Sequence, residues 1–308
     1  MKRKGIRTLF LVLLGLVVAG SIIRMRPALR TKVFFVFYRT WYAHYPFAAG
    51  KVLPNSLAWL FEPFVPIWVQ VEPGVTLWLN PYDLVSGSIL ASGAWEPRTW
   101  HALAPHIPSG GTFVDVGAHI GWYSLKAAKL VGAKGRVIAV EPDRDTLGRL
   151  RDNIRASGAG AVILVAPVAC SDSESTLNFY SAPGANTGES SLSLANASQD
   201  GKVAATYQVR ARRLDDIVNE AGVARVDAMK IDVEGAEYLV LKGAVETLNR
   251  FKPVVVLEVN DRQLRSMGSS GDEVLAFMRF HAYTPGEHAE ENTVFMPVAA
   301  PPQSSAHP

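Results

Sequence analysis

Two apolar runs of the sequence, about 110 residues apart, each end in carboxylates and glycine. The first is Thr112-Phe-Val-Asp-Val-Gly-Ala-His-Ile-Gly121, and the second is Ala228-Met-Lys-Ile-Asp-Val-Glu-Gly-Ala-Glu237. Strands of a parallel sheet are buried on both faces and read as continuous apolar runs. Ligands bind at the carboxyl ends of such strands. The two runs therefore predict a parallel α/β sheet with a ligand site at the edge where both strands end.

Strand-like and helix-like segments alternate from residue 112 onward, which is typical of a doubly wound sheet with helices on both faces. The predicted strands are Thr112–Val116, Arg136–Glu141, Ala161–Val165, Ala228–Asp232 and Val254–Glu258, with two more near Ala282 and at Thr293–Met296. The predicted helices are Trp122–Val131, Arg144–Ser157, Leu214–Ala221, Glu237–Arg250 and Asp272–Phe280.

One segment interrupts this alternation. Residues Ser181–Lys202 are rich in serine, glycine and asparagine and lie between the strand-like Leu177–Tyr180 and Tyr207–Val209. We expect a mobile hairpin or loop that lies over the site.

The N-terminal end carries a hydrophobic segment. The fifteen residues from Leu9 to Ile23 contain no charge and have basic residues on both sides. A spanning helix needs about 20 apolar residues, whereas fifteen fits the upper end of a signal-peptide core. Because the side chains of Arg7 and Arg24 can snorkel and lengthen the span, the segment predicts an uncleaved membrane anchor. A cleaved signal peptide and a helix lying on the membrane surface are the alternatives.

Composition and charge divide the chain into four predicted regions. These are a basic-flanked anchor at residues 1–32, an aromatic-rich juxtamembrane and N-terminal extension at 33–108, the α/β domain at 109–298 and a disordered tail at 299–308. The first 32 residues hold eight basic side chains and no acid, which favours an anionic membrane surface over a nucleic acid as partner. The single cysteine, Cys170, excludes an internal disulfide and a multi-thiolate zinc site.

The first strand end carries the pattern Asp115-x-Gly117-x-x-x-Gly121, with Ala118 inside it. A dinucleotide loop, Gly-x-Gly-x-x-Gly, would need glycine where this chain has His119 and Trp122. The observed spacing suits S-adenosylmethionine, which has no phosphate and carries a charged amino-acid end and a sulfonium. A plain strand-to-helix turn is the alternative.

Two further acids are predicted to bind this cofactor. Glu141 ends the second strand, where an acid accepts hydrogen bonds from both ribose hydroxyls in folds of this type. Asp172 follows the third-strand region and is a candidate for the adenine amino group, although it also fits a simple turn.

The second strand end supplies candidates for catalysis. A general base must lie within hydrogen-bond reach of the proton that it accepts, and the candidates for such a base are Asp232, Glu234 and His119. Asp232, Glu234 and Glu258 offer hard oxygen ligands, so a divalent cation is a further hypothesis, with Asp232 and Glu258 as its first candidates. Glu237 fits helix capping better than catalysis.

These motifs together resemble the FkbM-type S-adenosylmethionine-dependent O-methyltransferases. The resemblance spans Tyr82 to Tyr283, and Lys230-Ile-Asp-Val-Glu-Gly-Ala-Glu237 is its most specific part. The other matching motifs are Trp95-Glu-Pro97, Phe113–Gly121, Val140-Glu-Pro142, Arg213–Ile217 and Leu257-Glu-Val259. The resemblance implies a Rossmann-like, seven-stranded class I methyltransferase sheet, here preceded by the membrane segment and a small N-terminal extension.

The resemblance also implies methyl transfer from S-adenosylmethionine to a hydroxyl. With the predicted anchor, we expect a membrane-bound enzyme whose acceptor is a glycan, glycolipid, lipid-linked metabolite or secondary metabolite. The cofactor is made in the cytosol, so the catalytic domain is expected to face the cytoplasm. The alternative is a catalytically silent, methyltransferase-like scaffold at the membrane. The sequence leaves the oligomeric state open.

Overall fold

The computed structural model of the protein describes residues 67–80, 83–182, 186–198 and 202–298. The predicted anchor, the tail and most of the aromatic-rich extension lie outside these residues. Within the described ranges, no helix is long and apolar enough to cross a membrane. The chain divides into two compact units, one of residues 1–71 and 76–95 and one of residues 72–75 and 96–308.

The elements follow one another in chain order. The strands are β1 (Ile67–Glu72), β2 (Val75–Leu79), β3 (Thr112–Val116), β4 (Arg136–Val140), β5 (Ile163–Ala166), β6 (Ala169–Cys170), β7 (Ser175–Ser181), β8 (Ala205–Arg212), β9 (Ala228–Ile231), β10 (Val254–Glu258), β11 (Tyr283–Ala289) and β12 (Asn292–Pro297). The helices are α1 (Leu84–Ser92), α2 (Pro97–Leu103), α3 (Trp122–Val131), α4 (Arg144–Ala156), α5 (Leu194–Ala197), α6 (Leu214–Glu220), α7 (Glu237–Lys242), α8 (Val245–Phe251), α9 (Asp261–Ser266) and α10 (Gly271–Phe280).

The described part of the first unit holds the small sheet of β1 and β2 and the helix α1. The carboxylate of Asp83 caps this helix by accepting a hydrogen bond from the backbone N–H of Ser86 at 2.8 Å. Such a cap satisfies one of the free N–H groups of the first turn.

The second unit is built on a seven-stranded sheet in the order β11-β12-β10-β9-β3-β4-β5. Strands β10, β9, β3, β4 and β5 are parallel, whereas β12 is antiparallel to β10 and to β11. This confirms the predicted α/β sheet. The chain runs from β3 outward through β4 and β5 and later returns to place β9 on the other side of β3. A crevice forms where the strand order reverses in this way, so the candidate site lies beyond the ends of β3 and β9.

Apolar residues fill both faces of the central strands. All residues of β3, β9 and β10 are buried, among them Phe113, Met229 and Val255, each with no exposed surface. Burial of a large apolar side chain contributes about 1.5–3 kcal/mol. The site therefore rests on strands that are fixed by packing on both sides.

The helix predicted at residues 237–250 is two helices, so the prediction of one continuous helix was wrong. The chain breaks between α7 and α8 at Gly243, where a Cβ atom would lie 2.1 Å from the backbone oxygen of Ser171. A new helix start is then stabilised by Asp215, whose Oδ1 accepts a hydrogen bond from the N–H of Thr247 at 2.8 Å. The sequence interpretation also missed α9, the short helix after β10.

The predicted hairpin is present. Strands β7 and β8 pair in antiparallel register from Ser175 opposite Ala211 to Ser181 opposite Ala205, and β6 joins β8 to complete a three-stranded sheet. We call the described residues between these strands, 182, 186–198 and 202–204, the β7–β8 loop. An isolated bridge between Tyr180 and Ser191 folds part of this loop back on its own strand.

Candidate functional site

A cleft opens at the carboxyl ends of β3, β4 and β9, under the β7–β8 loop. Its empty volume is about 560 Å³, counting the open mouth. Residues of the glycine loop, of the β4 end, of the β7–β8 loop and of the β9 end form its walls. The lining includes Gly117, His119, Glu141, Asp143, Thr146, Cys170, Phe179, Thr187, Ser190, Asp232 and Glu234.

The loop after β3 is pressed against the end of β9. Gly117 has a φ of +84°, and a Cβ atom there would lie 1.8 Å from the backbone oxygen of Asp232. The N–H groups of Gly117 and Ala118 both donate to the oxygen of Val140 at 3.0 Å, and Gly121 also has a positive φ, +89°. Only glycine fits this approach at residue 117. The predicted loop residues therefore join the ends of three strands.

Asp115 lies beneath this loop. It is 1% exposed and accepts a hydrogen bond from Ser124 Oγ at 2.5 Å. Burial raises the pKa of Asp115 to about 6, although Ser124 and Lys230 act in the opposite direction. Asp115 is not among the residues that line the cleft, whereas the sequence predicted that it contacts the cofactor directly. Its carboxylate instead holds the start of α3 against the end of β3.

Glu141 lies in the cleft wall, as its predicted role requires. Its two oxygens accept hydrogen bonds from the backbone N–H groups of His119 and Asp143, each at 2.8 Å. Burial raises the pKa of Glu141 to about 8, while these two N–H donors lower it. Further donors from a ligand, such as ribose hydroxyls, would favour the ionised form in the same way.

Asp172 is not among the residues that line the cleft, and its predicted place at the adenine stays a prediction. Its carboxylate pairs with Lys242 Nζ at 2.7 Å, and the hydrogen bond from Lys242 lowers the pKa of Asp172. Residue 172 follows β6, and its carboxylate lies against the end of α7, where Lys242 is located.

Asp143 is a cleft residue that the sequence interpretation missed. It caps α4 by accepting hydrogen bonds from the N–H groups of Asp145 and Thr146, both at 3.0 Å. Its other oxygen accepts from Ser181 Oγ at 2.7 Å. An aspartate directly before a predicted helix is a capping signal, so the sequence held the information needed to place Asp143 beside Glu141.

Asp232, Glu234 and Glu258 converge at the ends of β9 and β10, and we call them the acidic cluster. One oxygen of each lies within 4.8 Å of an oxygen of the others. Asp232 and Glu234 line the cleft, whereas Glu258 is 7% exposed and lies deeper. The sequence predicted this grouping, and the parallel pairing of β9 with β10 produces it.

Lys230 is a cationic partner of the cluster. Lys230 Nζ lies 2.5 Å from Asp232 Oδ2. Burial alone would raise the pKa of Asp232, but the charge and hydrogen bond of Lys230 lower it below its usual value. Burial, followed by repulsion from Asp232 and Glu234, raises the pKa of Glu258 to about 10. Burial and the charge of Asp232 likewise raise the pKa of Glu234. Asp232 is therefore the carboxylate of the three that stays ionised at neutral pH.

Lys230 is held by more than Asp232. Its Nζ lies 3.8 Å from Glu96 Oε2 and 4.7 Å from the centre of the Tyr123 ring. Glu96 also accepts a hydrogen bond from Tyr123 Oη at 2.6 Å. Lys230 thus links Asp232 to Glu96, which belongs to the Trp95-Glu-Pro97 motif.

A turn after β9 carries Glu234. Glu234 has a φ of +55° and Gly235 a φ of +103°. The carbonyl of Glu234 accepts hydrogen bonds from Ser191 Oγ and Asn196 Nδ2, each at 2.8 Å, and its side chain accepts one from Gln263 Nε2. The β7–β8 loop is thereby fastened to the turn that presents the acidic cluster.

His119 and Glu237 have structural partners. His119 lies in the cleft lining with a φ of +50°, and its Nε2 is 3.0 Å from Thr187 Oγ1 in the β7–β8 loop. Glu237 Oε1 accepts from the N–H groups of Val233 and Gly235 at 3.0 and 3.1 Å. Glu237 thus holds the turn before α7, and this helix has no side-chain cap. A catalytic role for His119 stays a prediction.

The family model of the methyltransferase FkbM domain matches residues 115–285 of this chain. The chain belongs to the FkbM methyltransferase family. The match begins at Asp115 and includes the glycine loop, Glu141 and the acidic cluster. The resemblance predicted from the motifs is therefore confirmed.

Two curated relatives are each 28% identical to this chain over the aligned residues. The hexuronic acid methyltransferase AglP of Haloferax volcanii is 28% identical over 142 residues, which cover 46% of this chain and 53% of AglP. The 2-O-methyltransferase NoeI of Sinorhizobium fredii is 28% identical over 160 residues, covering 49% of this chain and 64% of NoeI. The chain thus spans less than two thirds of either relative.

Among solved structures, the chain is similar to an FkbM methyltransferase of Methylobacillus flagellatus. The TM-score is 0.41 and the identity 20%, over 69% of this chain and 52% of that one.

Proposed function

We propose that this chain transfers a methyl group from S-adenosylmethionine to a hydroxyl of a glycan, glycolipid or lipid-linked metabolite. One observation carries the proposal. The glycine loop and Glu141 share a single cleft with Asp232, so residues suited to the cofactor and a carboxylate suited to proton removal face the same space.

The cleft fits the cofactor in two ways. Gly117 provides a wall that a side chain would fill, and Glu141 provides a buried carboxylate for ribose hydroxyls at the end of β4. Thr146 and Phe179 add a polar and an apolar side chain to the same lining. When bound, S-adenosylmethionine supplies an electrophilic methyl group whose bond to the sulfonium breaks with its electrons left on sulfur.

Asp232 is the base in this proposal. It is ionised because Lys230 lowers its pKa, and it lines the cleft. Its carboxylate accepts the proton of the acceptor hydroxyl as the hydroxyl oxygen forms its new bond to carbon. General bases of this kind contribute about 10²–10⁴-fold to rate. The fastened β7–β8 loop supports the reaction by holding the turn at Glu234 and by covering the cleft, since positioning of the reacting atoms supplies a large part of such rate enhancements.

The acceptor class is inferred from chemistry and from the relatives. The names of AglP and NoeI state a hexuronic acid and a 2-O position as their targets. In this chain, the rim formed by Thr187, Ser190 and Glu234 is polar, which suits a hydroxylated acceptor. The hydrophobic segment at residues 9–23 supports a membrane-associated acceptor. The synthesis of S-adenosylmethionine in the cytosol supports a domain that faces the cytosol. Protease protection of the domain in right-side-out cells, and cleavage in inverted vesicles, would agree with this topology; the reverse result would exclude it.

Cofactor binding is the first test. Calorimetry on the detergent-solubilised full chain should show S-adenosylmethionine binding, and Glu141→Gln should weaken it by about tenfold or more, because a hydrogen bond to a charged group contributes about 1.5–3 kcal/mol. Glu174→Gln is the matched control, since Glu174 is exposed and pairs with Arg210. No binding by the wild-type chain would refute the proposal.

Methyl transfer is the second test. Membrane extracts incubated with the chain and methyl-labelled cofactor should yield a labelled glycan or glycolipid. Cofactor binding without any labelled product would instead favour the catalytically silent scaffold.

A further inference from the structure

Glu96, directly before α2, combines a strained backbone with a side chain that is fixed by two neighbouring elements. Its φ of +42° lies in the left-handed region, which is costly for a residue other than glycine and persists only where the surroundings impose it. Its Oε2 accepts a hydrogen bond from Tyr123 Oη on α3 at 2.6 Å. Its Oε1 accepts one from Asn292 Nδ2 on β12 at 3.2 Å. The carboxylate of Glu96 is therefore held in one place.

That place is beside the ammonium of Lys230, which is 3% exposed. Lys230 Nζ lies 3.8 Å from Glu96 Oε2 and 2.5 Å from Asp232 Oδ2, so one buried cation is shared by two carboxylates. The ring of Tyr123 lies 4.7 Å from the same ammonium. Because a buried charge is stable only when it is paired, the two carboxylates together decide where the ammonium lies.

We propose that Glu96 is a positioning residue that acts on the base Asp232 through Lys230. Glu96 is not among the residues that line the cleft, whereas Asp232 is. The fixed carboxylate of Glu96 holds the ammonium of Lys230, and the ammonium in turn holds the carboxylate of Asp232 where it meets the acceptor hydroxyl. A base that is itself oriented by further groups is a common arrangement in active sites. This inference rests on the proposed function of the cleft.

Glu290 provides a structural comparison for Glu96. Its carboxylate also holds the start of α2, by accepting hydrogen bonds from the N–H groups of Arg98 and Thr99 at 3.0 and 2.7 Å. Of these two acids, only Glu96 also pairs with Lys230. A loss of function that follows from a loosened α2 should therefore appear when either acid is changed, whereas an effect through Lys230 should appear for Glu96 alone.

The matched variants Glu96→Gln and Glu290→Gln test this in the detergent-solubilised full chain. Glutamine at residue 96 still accepts from Tyr123, and its amide can donate to Asn292, whose Oδ1 is buried without a partner among the described residues. Methyl transfer is measured with saturating labelled S-adenosylmethionine and a membrane extract as the acceptor probe. We expect kcat to fall by about tenfold in Glu96→Gln, since a displacement of about 1 Å can cost up to about 10²-fold. The half-saturating amount of extract and the Kd for S-adenosylmethionine should not change, and Glu290→Gln should keep the kcat of the wild type.

A double-mutant cycle shows whether Glu96 acts through Lys230. Lys230→Met alone should lower kcat by about 10²-fold or more, because the base then lacks its buried partner. Adding Glu96→Gln to Lys230→Met, or to Asp232→Asn, should change kcat by less than about threefold, because residues that act as one unit have non-additive effects. If Lys230→Met shows no thermal transition, the Asp232→Asn background decides. If Glu96→Gln shows none, Tyr123→Phe replaces it, and its loss of kcat should vanish in the Asp232→Asn background.

The outcomes separate this inference from the proposed function. A folded Glu96→Gln variant with the kcat of the wild type would overturn the positioning role and leave the methyltransferase proposal intact. A further tenfold loss in the double variants, or an equal loss in Glu290→Gln, would likewise overturn it, because Glu96 would then act through α2 alone. A wild-type chain that labels no acceptor in the extract would overturn both.

Discussion

The carboxylates at the end of β4 and those at the ends of β9 and β10 have different partners. Glu141 at β4 accepts two backbone N–H groups, and Asp143 beside it accepts two more. Backbone donors are fixed by the strand and helix that carry them, so this side of the cleft is set before any ligand binds.

The acidic cluster has side-chain partners instead. Asp232 is bound by Lys230, Glu234 by Gln263, and Glu258 lies against Asp232 itself. Repulsion among the three, together with burial, raises the pKa of Glu258 to about 10. The comparison teaches that the carboxylates at the end of β4 are held by the main chain, whereas those of the acidic cluster are balanced by Lys230 and by the protons that burial and mutual repulsion favour.

Asp232→Asn should separate the two sides most clearly. The substitution keeps the shape of the side chain but removes the base, so we expect kcat to fall by about 10²–10⁴-fold, with the Kd for S-adenosylmethionine within a few-fold of the wild type. Steady-state kinetics and calorimetry measure the two quantities. Asp152→Asn, at an exposed residue that pairs with Arg155, is the control. A kcat within threefold of wild type would remove Asp232 from the mechanism.

Gly117→Ala should damage the contact that joins the two sides. A Cβ atom at this position meets the oxygen of Asp232 at 1.8 Å, so overpacking of about 1–3 kcal/mol adds to about 1–2 kcal/mol for the left-handed backbone. We expect the free energy of unfolding to fall by about 2–5 kcal/mol in urea titrations. Gly110→Ala has a similar φ of +76° but no atom within 4 Å of the added Cβ. Its free energy of unfolding should therefore fall only by the cost of the left-handed backbone. Equal losses in both variants would show that the close approach is not rigid.

The smallest expected effect is on the pH dependence of stability, and it comes from Glu141 at the end of β4. The pKa of Glu141 is about 8 in the folded chain against 4.5 for an ordinary glutamate. The folded state therefore binds this proton more tightly, and its contribution to stability is present at low pH and lost as pH rises from about 4.5 to about 8. Without cofactor, Glu141→Gln should reduce the loss of unfolding free energy between pH 5 and pH 8 by at least about 1 kcal/mol, since each pKa unit corresponds to about 1.4 kcal/mol. An unchanged pH profile would mean that Glu141 is solvated.

Local patterns in the sequence were sufficient to bring Gly117 and Glu141 to one cleft. Gly117 and Glu141 lie at fixed distances from apolar runs, and strand ends in a parallel sheet meet at one edge. The position of Asp143 could also have been predicted from the sequence, because helix capping depends on neighbouring residues alone. The ion pair of Asp172 with Lys242 could not be predicted from the sequence, because the direction of a side chain after the short strand β6 depends on where α7 packs.

The neighbours of the acidic cluster could be identified only in the packed structure. The sequence grouped Asp232, Glu234 and Glu258 because their strands are neighbours, but Gln263 belongs to a helix that the pattern did not reveal. Glu96 approaches Lys230 from a segment 134 residues away in the chain. Such contacts between distant segments arise from tertiary packing and leave no periodic signal in the sequence.

The sequence by itself determined the α/β sheet, the family and the strand ends at which the carboxylates lie, because periodicity and glycine spacing are properties of short segments. Only the tertiary structure decided which carboxylate is ionised. A pKa depends on burial and on distances of a few ångströms to other charges, and those distances exist only once β9, β10, α9 and the β7–β8 loop have packed around one cleft.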